Sequence, residues 1–547
     1  MDKFDVIVIG AGAGGSTAAY AAAQQGLKVL IIEAGPRFSP ADYNLDKADW
    51  ERSRFPDKPN SQGQYSFAQM QALEAKWEHL RSWNQVSGYY NTRSSRVPSG
   101  KGYHHVRGIG GSTLAFTGES HRFNPHSMQM QTRFGVAADW PVTYEELIPF
   151  YVQAEQLIGV AGSSSPKFRG DLGSHILPKH PRSPASKKLA QSTRLNWESN
   201  QRAALSVPHN GRPTCNYCNN CNRGCPRQDK GSADVTFMRA AEKTGYVTIR
   251  TELQVTRLET DGNRKIKAVV YADQYQQQHR ASADLIVLAA GAIETPRLLL
   301  NNIDGQSPQG LCNDFGHVGQ HFMETLACSI SALAQAPLES YMGLPADIIS
   351  WDYNLPDSIP GVIGGCRFSS TLAENDLVGP INYAQRLIPG WGSSLKQTIK
   401  NRFGSAISLG AIGESLPNSK AYISVDSHQK DALGEPIARI HSHLTDMDLQ
   451  RLNFMLSTCK EVFSELGLTP INEQITSYDF FSTTHIFGTC RMGTSEQNSV
   501  TNSWGISHRW HNLMIADTSL FPSSGGGESP SLTLQALVLR NISHWIQ

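Results

Sequence analysis

Two groups of residues in this chain have the types and spacing to do chemistry. Cys215, Cys218, Cys221 and Cys225 fall within one short stretch, CNYCNNCNRGCP, in the C-x2-C-x2-C-x3-C-P order in which ferredoxin thiolates hold iron. Only one such run is present, which excludes a two-cluster ferredoxin and admits a single three-iron or four-iron cluster. Zinc held by four thiolates more often uses two CxxC knuckles separated by a longer loop, so it suits this spacing less well. A loop of structural thiols, or one bearing a disulfide, is the third reading. The other group is Gly10-x-Gly12-x-x-Gly15, followed by Glu33. Such glycines make a tight turn, let backbone approach a pyrophosphate and allow close helix–strand packing, and the acid is suited to ribose hydroxyls.

The elements needed to position that second group are present. Asp5 to Ile9 read DVIVI, a β-branched run of the kind buried on both faces of a parallel sheet. After the glycines, STAAYAAAQQG reads as a helix closed by Gly26, and KVLIIE as a second strand ending at Glu33. Residues 284–302, DLIVLAAGAIETPRLLLNN, repeat the pattern of buried strand, glycine turn and Thr-Pro helix start, returning the chain to the nucleotide-binding sheet. A dinucleotide site assembled from segments about 280 residues apart favours FAD over NAD, whose site is mostly local.

At 547 residues the chain has room for two joined domains. A net charge of +1 offers no electrostatic reason to expect nucleic acid or an acidic membrane surface as partner. No apolar run reaches the length of a membrane span, and the N-terminus enters a strand pattern without a leader, so cytoplasmic residence is expected. Nine cysteines, five of them scattered singly, fit a reducing compartment.

Four blocks carry a wider resemblance: GAGAGG with Glu33; RGIGGSTLAFTGESHRF from Arg107; AAGAIETPRLL; and the run from THIFGTCRMG at Thr484 through NLMIADTSLFPSS to SPSLTLQALVLR. In order and spacing they resemble the glucose-methanol-choline (GMC) oxidoreductases over nearly the whole chain. The resemblance implies an α/β fold: a Rossmann-like FAD-binding domain from residues 1–160, 200–319 and 480–547, and a substrate domain at 320–479 built on an antiparallel sheet. Within the latter, ACSISALA, GVIGG and AYISV read as strands, and DMDLQRLNFMLSTCKEVFSELG as a helix packed beneath the sheet. Residues 36–100 and 161–199, the latter including GSSSPKFRGDLGSH, read as excursions and loops.

The family likeness also names the site. Gly10, Gly12, Ala13, Gly14, Gly15, Glu33, Arg107, Gly110, Gly111, Ser112, Val255, Ala290, Gly291, Asp517, Ser531 and Thr533 are expected to hold FAD, with Gln535 in the same helix start as Thr533. Some members attach the flavin through a histidine that falls here at Ala115, so FAD is expected to be non-covalent; His104, His105 and His121 are nearby but off register. His485 stands where the family places its catalytic histidine, the base that takes the hydroxyl proton as hydride passes to flavin N5. The second family residue, usually His or Asn, maps between Glu528 and Ser529 because GGGES contains one extra residue. A Ser hydroxyl on the substrate oxygen, a Glu beside the imidazole, or only a longer turn with water filling the gap are the alternatives there. Cys490 reads as small apolar packing.

The resulting function is oxidation of an alcohol or sugar-like CH–OH group to an aldehyde or ketone, with oxygen, a quinone or a cytochrome partner as electron acceptor. The four cysteines resemble those of GMC subgroups similar to sugar dehydrogenases, sterol oxidases and long-chain alcohol oxidases, some of which carry a cluster. Two alternatives are a hydroxynitrile-lyase-like enzyme that keeps FAD without net redox, and an iron-sulfur electron-transfer subunit.

Overall fold

A computed structural model of the chain describes all residues except 1, 44, 46–49, 53–63, 104, 164–176 and 484. Its first unit is β1 (Asp2–Ile9), α1 (Ala13–Ala23) and β2 (Val29–Ile32). Val6, Ile7, Val8 and Val29 to Ile31 are wholly buried, as expected for a parallel strand pair covered on both faces. The strand Val247–Arg250 lies parallel to β2, and the 11-residue strand Gln278–Leu288 lies parallel to β1. Leu513–Ile515 runs parallel along the last residues of Gln278–Leu288, while Ile266–Ala272 pairs antiparallel with its first residues and in turn with Gln254–Thr260. One seven-stranded sheet is thus assembled from three distant parts of the chain. Helix Ser531–Ile546 packs against α1 and against helix Tyr144–Ile158.

A second sheet has eight strands, every pair antiparallel, with Leu326–Leu333 and Ala406–Gly413 at its centre. Helix Asp446–Glu465 packs beneath these two strands. Thr445 starts it with a capping box, its hydroxyl accepting from the Asp448 amide while the Asp448 carboxylate accepts from the Thr445 amide, so two helix-start donors are satisfied locally.

Three expectations change. GVIGG is a set of turns, with strand beginning only at Cys366, because a side chain at Gly364 or Gly365 would collide with Arg451 or with the Asn354 carbonyl at 2.4 and 2.2 Å. The stretch 36–100 is not wholly loop: Trp83–Asn84 and Tyr89–Tyr90 form one edge of the eight-stranded sheet, and Tyr65–Phe67 joins a small sheet with Pro436–His441. Glu198–Ser199, placed in the second excursion, forms the other edge. Both edges therefore end in two-residue strands, too short to template pairing with another chain. Most of GSSSPKFRGDLGSH lies outside the described residues.

Candidate active site

A cavity of about 730 Å³ runs between the two sheets. At one end it is floored by the turn from β1 to α1. Gly10 has φ +97°, and a Cβ there would sit 2.5 Å from the Ala289 carbonyl oxygen, so both backbone conformation and close approach require glycine. A Cβ on Gly14 would lie 1.7 Å from the Ala516 oxygen, and one on Gly15 1.9 Å from the Gly10 oxygen; these two glycines let α1 pack. Gly12 differs. A Cβ on it would meet nothing nearer than the Gly111 Cα at 3.9 Å, and Gly12 lines the cavity. It is also the N-cap of α1 and makes no side-chain capping bond, so the first-turn amides remain available to an anion.

Glu33 ends β2 at the cavity wall. Its carboxylate accepts from the amides of Ala11 at 2.7 Å, Gly35 at 2.9 Å and Gly108 at 3.0 Å, stitching the glycine turn to the loop that carries Arg107. Burial pushes this carboxyl up, and the three amides and Arg107 pull it back. Arg107 donates to Gln254 Oε1 at 3.3 Å and faces Glu294 at 3.6 Å. Asp517 accepts from the Gly291 amide at 3.0 Å and the Ser519 amide at 2.9 Å, which joins the turns after Gln278–Leu288 and Leu513–Ile515.

Of the expected cofactor residues, Gly10, Gly12, Ala13, Gly14, Glu33, Arg107, Gly111, Ser112, Val255, Ala290, Gly291, Asp517 and Ser531 line this one cavity. Three do not. Gly15 is spent on packing, Gly110 takes φ +101° to start the short helix at Gly111, and Thr533 is turned away to the Tyr151 hydroxyl at 2.8 Å. Gln535 is buried in the same helix, away from the wall. Ala115 and His105 line the cavity, with His105 Nδ1 3.0 Å from the Tyr103 hydroxyl. His104 lies outside the described residues.

At the other end His485 faces the cavity together with Arg367, Glu119 and Ser529. Burial pushes the His485 imidazole down to about 4, with Glu119 opposing and Arg367 assisting. That shift favours the neutral imidazole. Glu119 is itself held at about 2: burial alone would raise it, but Arg367, Arg202 and the Asn200 amide outweigh that. Arg367, from strand Cys366–Ser370, pairs with Glu119 and donates to the Gly527 carbonyl at 3.1 Å. His121 is wholly buried rather than a flavin attachment point. Its Nδ1 accepts from the Ser529 amide at 3.1 Å and its Nε2 meets Asn200 Oδ1 at 2.8 Å, an arrangement that fits one neutral tautomer and anchors Ser529.

Glu528 does not line the cavity. It is wholly buried off the cavity, accepting from the Asn124 amide at 3.2 Å and Asn354 Nδ2 at 2.9 Å. The glycines before it explain this: Cβ atoms on Gly526 and Gly527 would each come within 2.3 Å of the Asn354 or Ile412 carbonyl oxygen. The extra residue in GGGES thus lets the turn press against two backbones, carrying Glu528 inward and leaving Ser529 at the wall.

A family model described as GMC oxidoreductase matches residues 181–326 and another of the same description matches 417–537; an FAD binding domain matches 5–42. The chain belongs to the GMC oxidoreductases. It is an FAD-dependent enzyme, and the glycine cradle with its free helix start fits that cofactor's pyrophosphate. Similar GMC proteins include 2-methyl-1,2-propanediol dehydrogenase of Mycolicibacterium austroafricanum, 25% identical with 98% of this chain and 94% of that protein covered. The fructose dehydrogenase large subunit of Gluconobacter japonicus is 26% identical, covering 98% and 96%. Paromamine 6'-oxidase of Streptomyces fradiae is 27% identical, covering 98% and 90%. Pyridoxine 4-oxidase from Mesorbium loti shares the fold, with TM-score 0.64, 18% identity and 99% of each chain covered.

In this GMC chain the four cysteines are not grouped as ligands. Among the described residues no three His, Cys, Asp or Glu side chains are gathered to hold a metal ion, and all nine cysteines are free. Cys215 and Cys221 pack with Ala204 and Leu344, Cys218 is exposed, and the Cys225 thiol points to Asp229 Oδ1 at 3.4 Å. Burial pushes Cys215 up to about 12 and raises Cys221 and Cys225 too. The segment is held by Lys230, whose ammonium donates to the carbonyls of Cys221, Leu114 and Phe116 at 2.7, 2.8 and 3.0 Å. What it delivers to the cavity wall is Asn222. Arg367, Glu119, Asn222 and Glu374 were not singled out from sequence, although Glu119 lies inside the block that begins at Arg107.

Proposed function

We propose that this enzyme oxidises a CH–OH group of a polyhydroxylated, sugar-like alcohol, with His485 as the base and FAD bound non-covalently. The observation that carries the reading is the His485 imidazole, kept neutral by burial, on the wall of the same cavity as the glycine cradle. FAD supplies the hydride acceptor when bound. His485 accepts the hydroxyl proton of the substrate, and the nearby Glu119 carboxylate compensates the imidazolium charge that then develops. Ser529, held through its amide by His121, is suited to orient the substrate oxygen. The names of the propanediol, fructose and paromamine enzymes place diols and sugars among the substrates of relatives, and the wall around His485 is correspondingly polar, with Ser329, Ser369 and Asn375.

The test is anaerobic mixing of holoenzyme with a panel of sugars and polyols while the flavin absorbance is followed. A member of the panel bleaches the native enzyme, and His485→Ala slows that bleaching by at least a hundredfold with FAD still bound. Full-speed bleaching in the variant would overturn the assignment of the base.

A further inference from the structure

The carboxylates at the His485 end of the cavity are paired, with one exception. Glu119 is held by Arg367 and by Asn200 Nδ2 at 2.9 Å, and Asp376 by Arg223 at 2.9 Å. Glu374 lies between the strand Cys366–Ser370 and Asp376 and also lines the cavity. Its side chain opens onto the cavity while lying deep within the protein. Among the described residues, none donates a side-chain hydrogen bond to its carboxylate; its own backbone amide is the one contact that favours the charged form by hydrogen bonding. Burial and the neighbouring Glu119 push it up to about 7, against the pull of Arg202 and Arg367.

Next to it stands a second acceptor. Asn222 spends both hydrogens of its amide nitrogen, donating to the carbonyl of Ala373, the residue before Glu374, at 3.0 Å and to Asp376 Oδ1 at 3.2 Å. With its donors used, Asn222 offers a ligand only its side-chain carbonyl oxygen. A cavity wall bearing a carboxylate and an amide oxygen, with no donor of its own for either, is complementary to a group that is all donor and positively charged.

We propose that Glu374 and Asn222 form the binding site for a protonated amino group of the substrate, so that the preferred substrates are amino sugars or amino alcohols rather than neutral polyols. The proposal rests on the reading of the cavity as an alcohol-oxidising site. The ammonium donates to the Glu374 carboxylate and the Asn222 oxygen, holding one end of the molecule while the reacting hydroxyl meets His485.

The test uses holoenzyme and pairs of sugars that share a skeleton and differ by one amino group in place of a hydroxyl, with anaerobic flavin bleaching as readout. The expected result is kcat/KM at least tenfold higher for the amino member of a pair. Glu374→Gln should remove that preference by raising KM for the amino member at least tenfold more than for the neutral one. Equal or better use of the neutral member by native enzyme overturns the proposal, as does an equal loss on both members in E374Q. If bleaching survives in His485→Ala, the reading of the base fails while the amine preference is still measured. Should no pair bleach the flavin, calorimetric titration of native enzyme and E374Q with the same amino sugars decides: tighter binding to native enzyme supports the site, and equal or absent binding overturns it.

Discussion

At the glycine end of the cavity the groups that face a ligand come largely from backbone, in the turns at residues 10–14 and 289–291, whereas at the His485 end they are side chains drawn from separate segments at 119, 222, 367, 374, 485 and 529. The first arrangement recognises a phosphate through amides that any residue type could supply, provided its Cβ does not intrude. The second is suited to a substrate, through particular functional groups brought together from separate segments. One end is therefore chemistry written locally, and the other is chemistry written across the chain.

Substitutions should separate the two ends. The largest effect is expected from His485→Ala, which should lower the rate of substrate-driven flavin reduction by about 10²–10⁴-fold while FAD content stays normal. Next come the glycines. Gly14→Ala forces a Cβ to within 1.7 Å of the Ala516 oxygen and should destabilise the fold by about 1–3 kcal/mol, seen as a lower Tm with loss of FAD. Gly12→Ala meets no protein atom closer than 3.9 Å and should leave the Tm of FAD-free protein unchanged while weakening FAD binding about tenfold or more. Equal loss of stability in both would break the distinction between a packing glycine and a ligand-facing one.

The pH dependence of flavin reduction is a milder probe. A buried histidine with its pKa lowered to about 4 is active when deprotonated, so the rate should be flat from pH 8 down to about 5 and fall as pH drops through 4. A limb near the ordinary histidine value would mean that the imidazole is solvated. The smallest effect belongs to Cys218→Ser: an exposed thiol outside the cavity should change stability by no more than about 0.5 kcal/mol and leave the flavin spectrum intact.

This contrast also explains what could be read before the structure. DVIVI, the glycines and Glu33 are a contiguous code, because strand, turn and helix follow one another and each glycine has a local steric reason. His485 and Ser529 were reached through family likeness, and the choice between Glu528 and Ser529 stayed open because nothing in GGGES says which side chain a turn will bury. Arg367 and Glu374 were invisible: both lie in ordinary-looking sequence, and their importance comes from facing residue 119 across 248 positions and from lacking a partner, which are properties of packing. The cysteine run shows the same dependence on packing. Its spacing matches a ligand set, but spacing does not reveal that the fold brings the intervening Asn222 to the cavity wall.

The strand Leu513–Ile515 and helix Ser531–Ile546 close the nucleotide-binding sheet and cover the start of α1. The glycine turn is therefore made long before its last supporting wall. A variant lacking the segment from residue 513 to residue 546 would keep the fingerprint without a finished cleft, so it should fail to retain the vitamin-derived prosthetic group and stay colourless however intact the segments before it are.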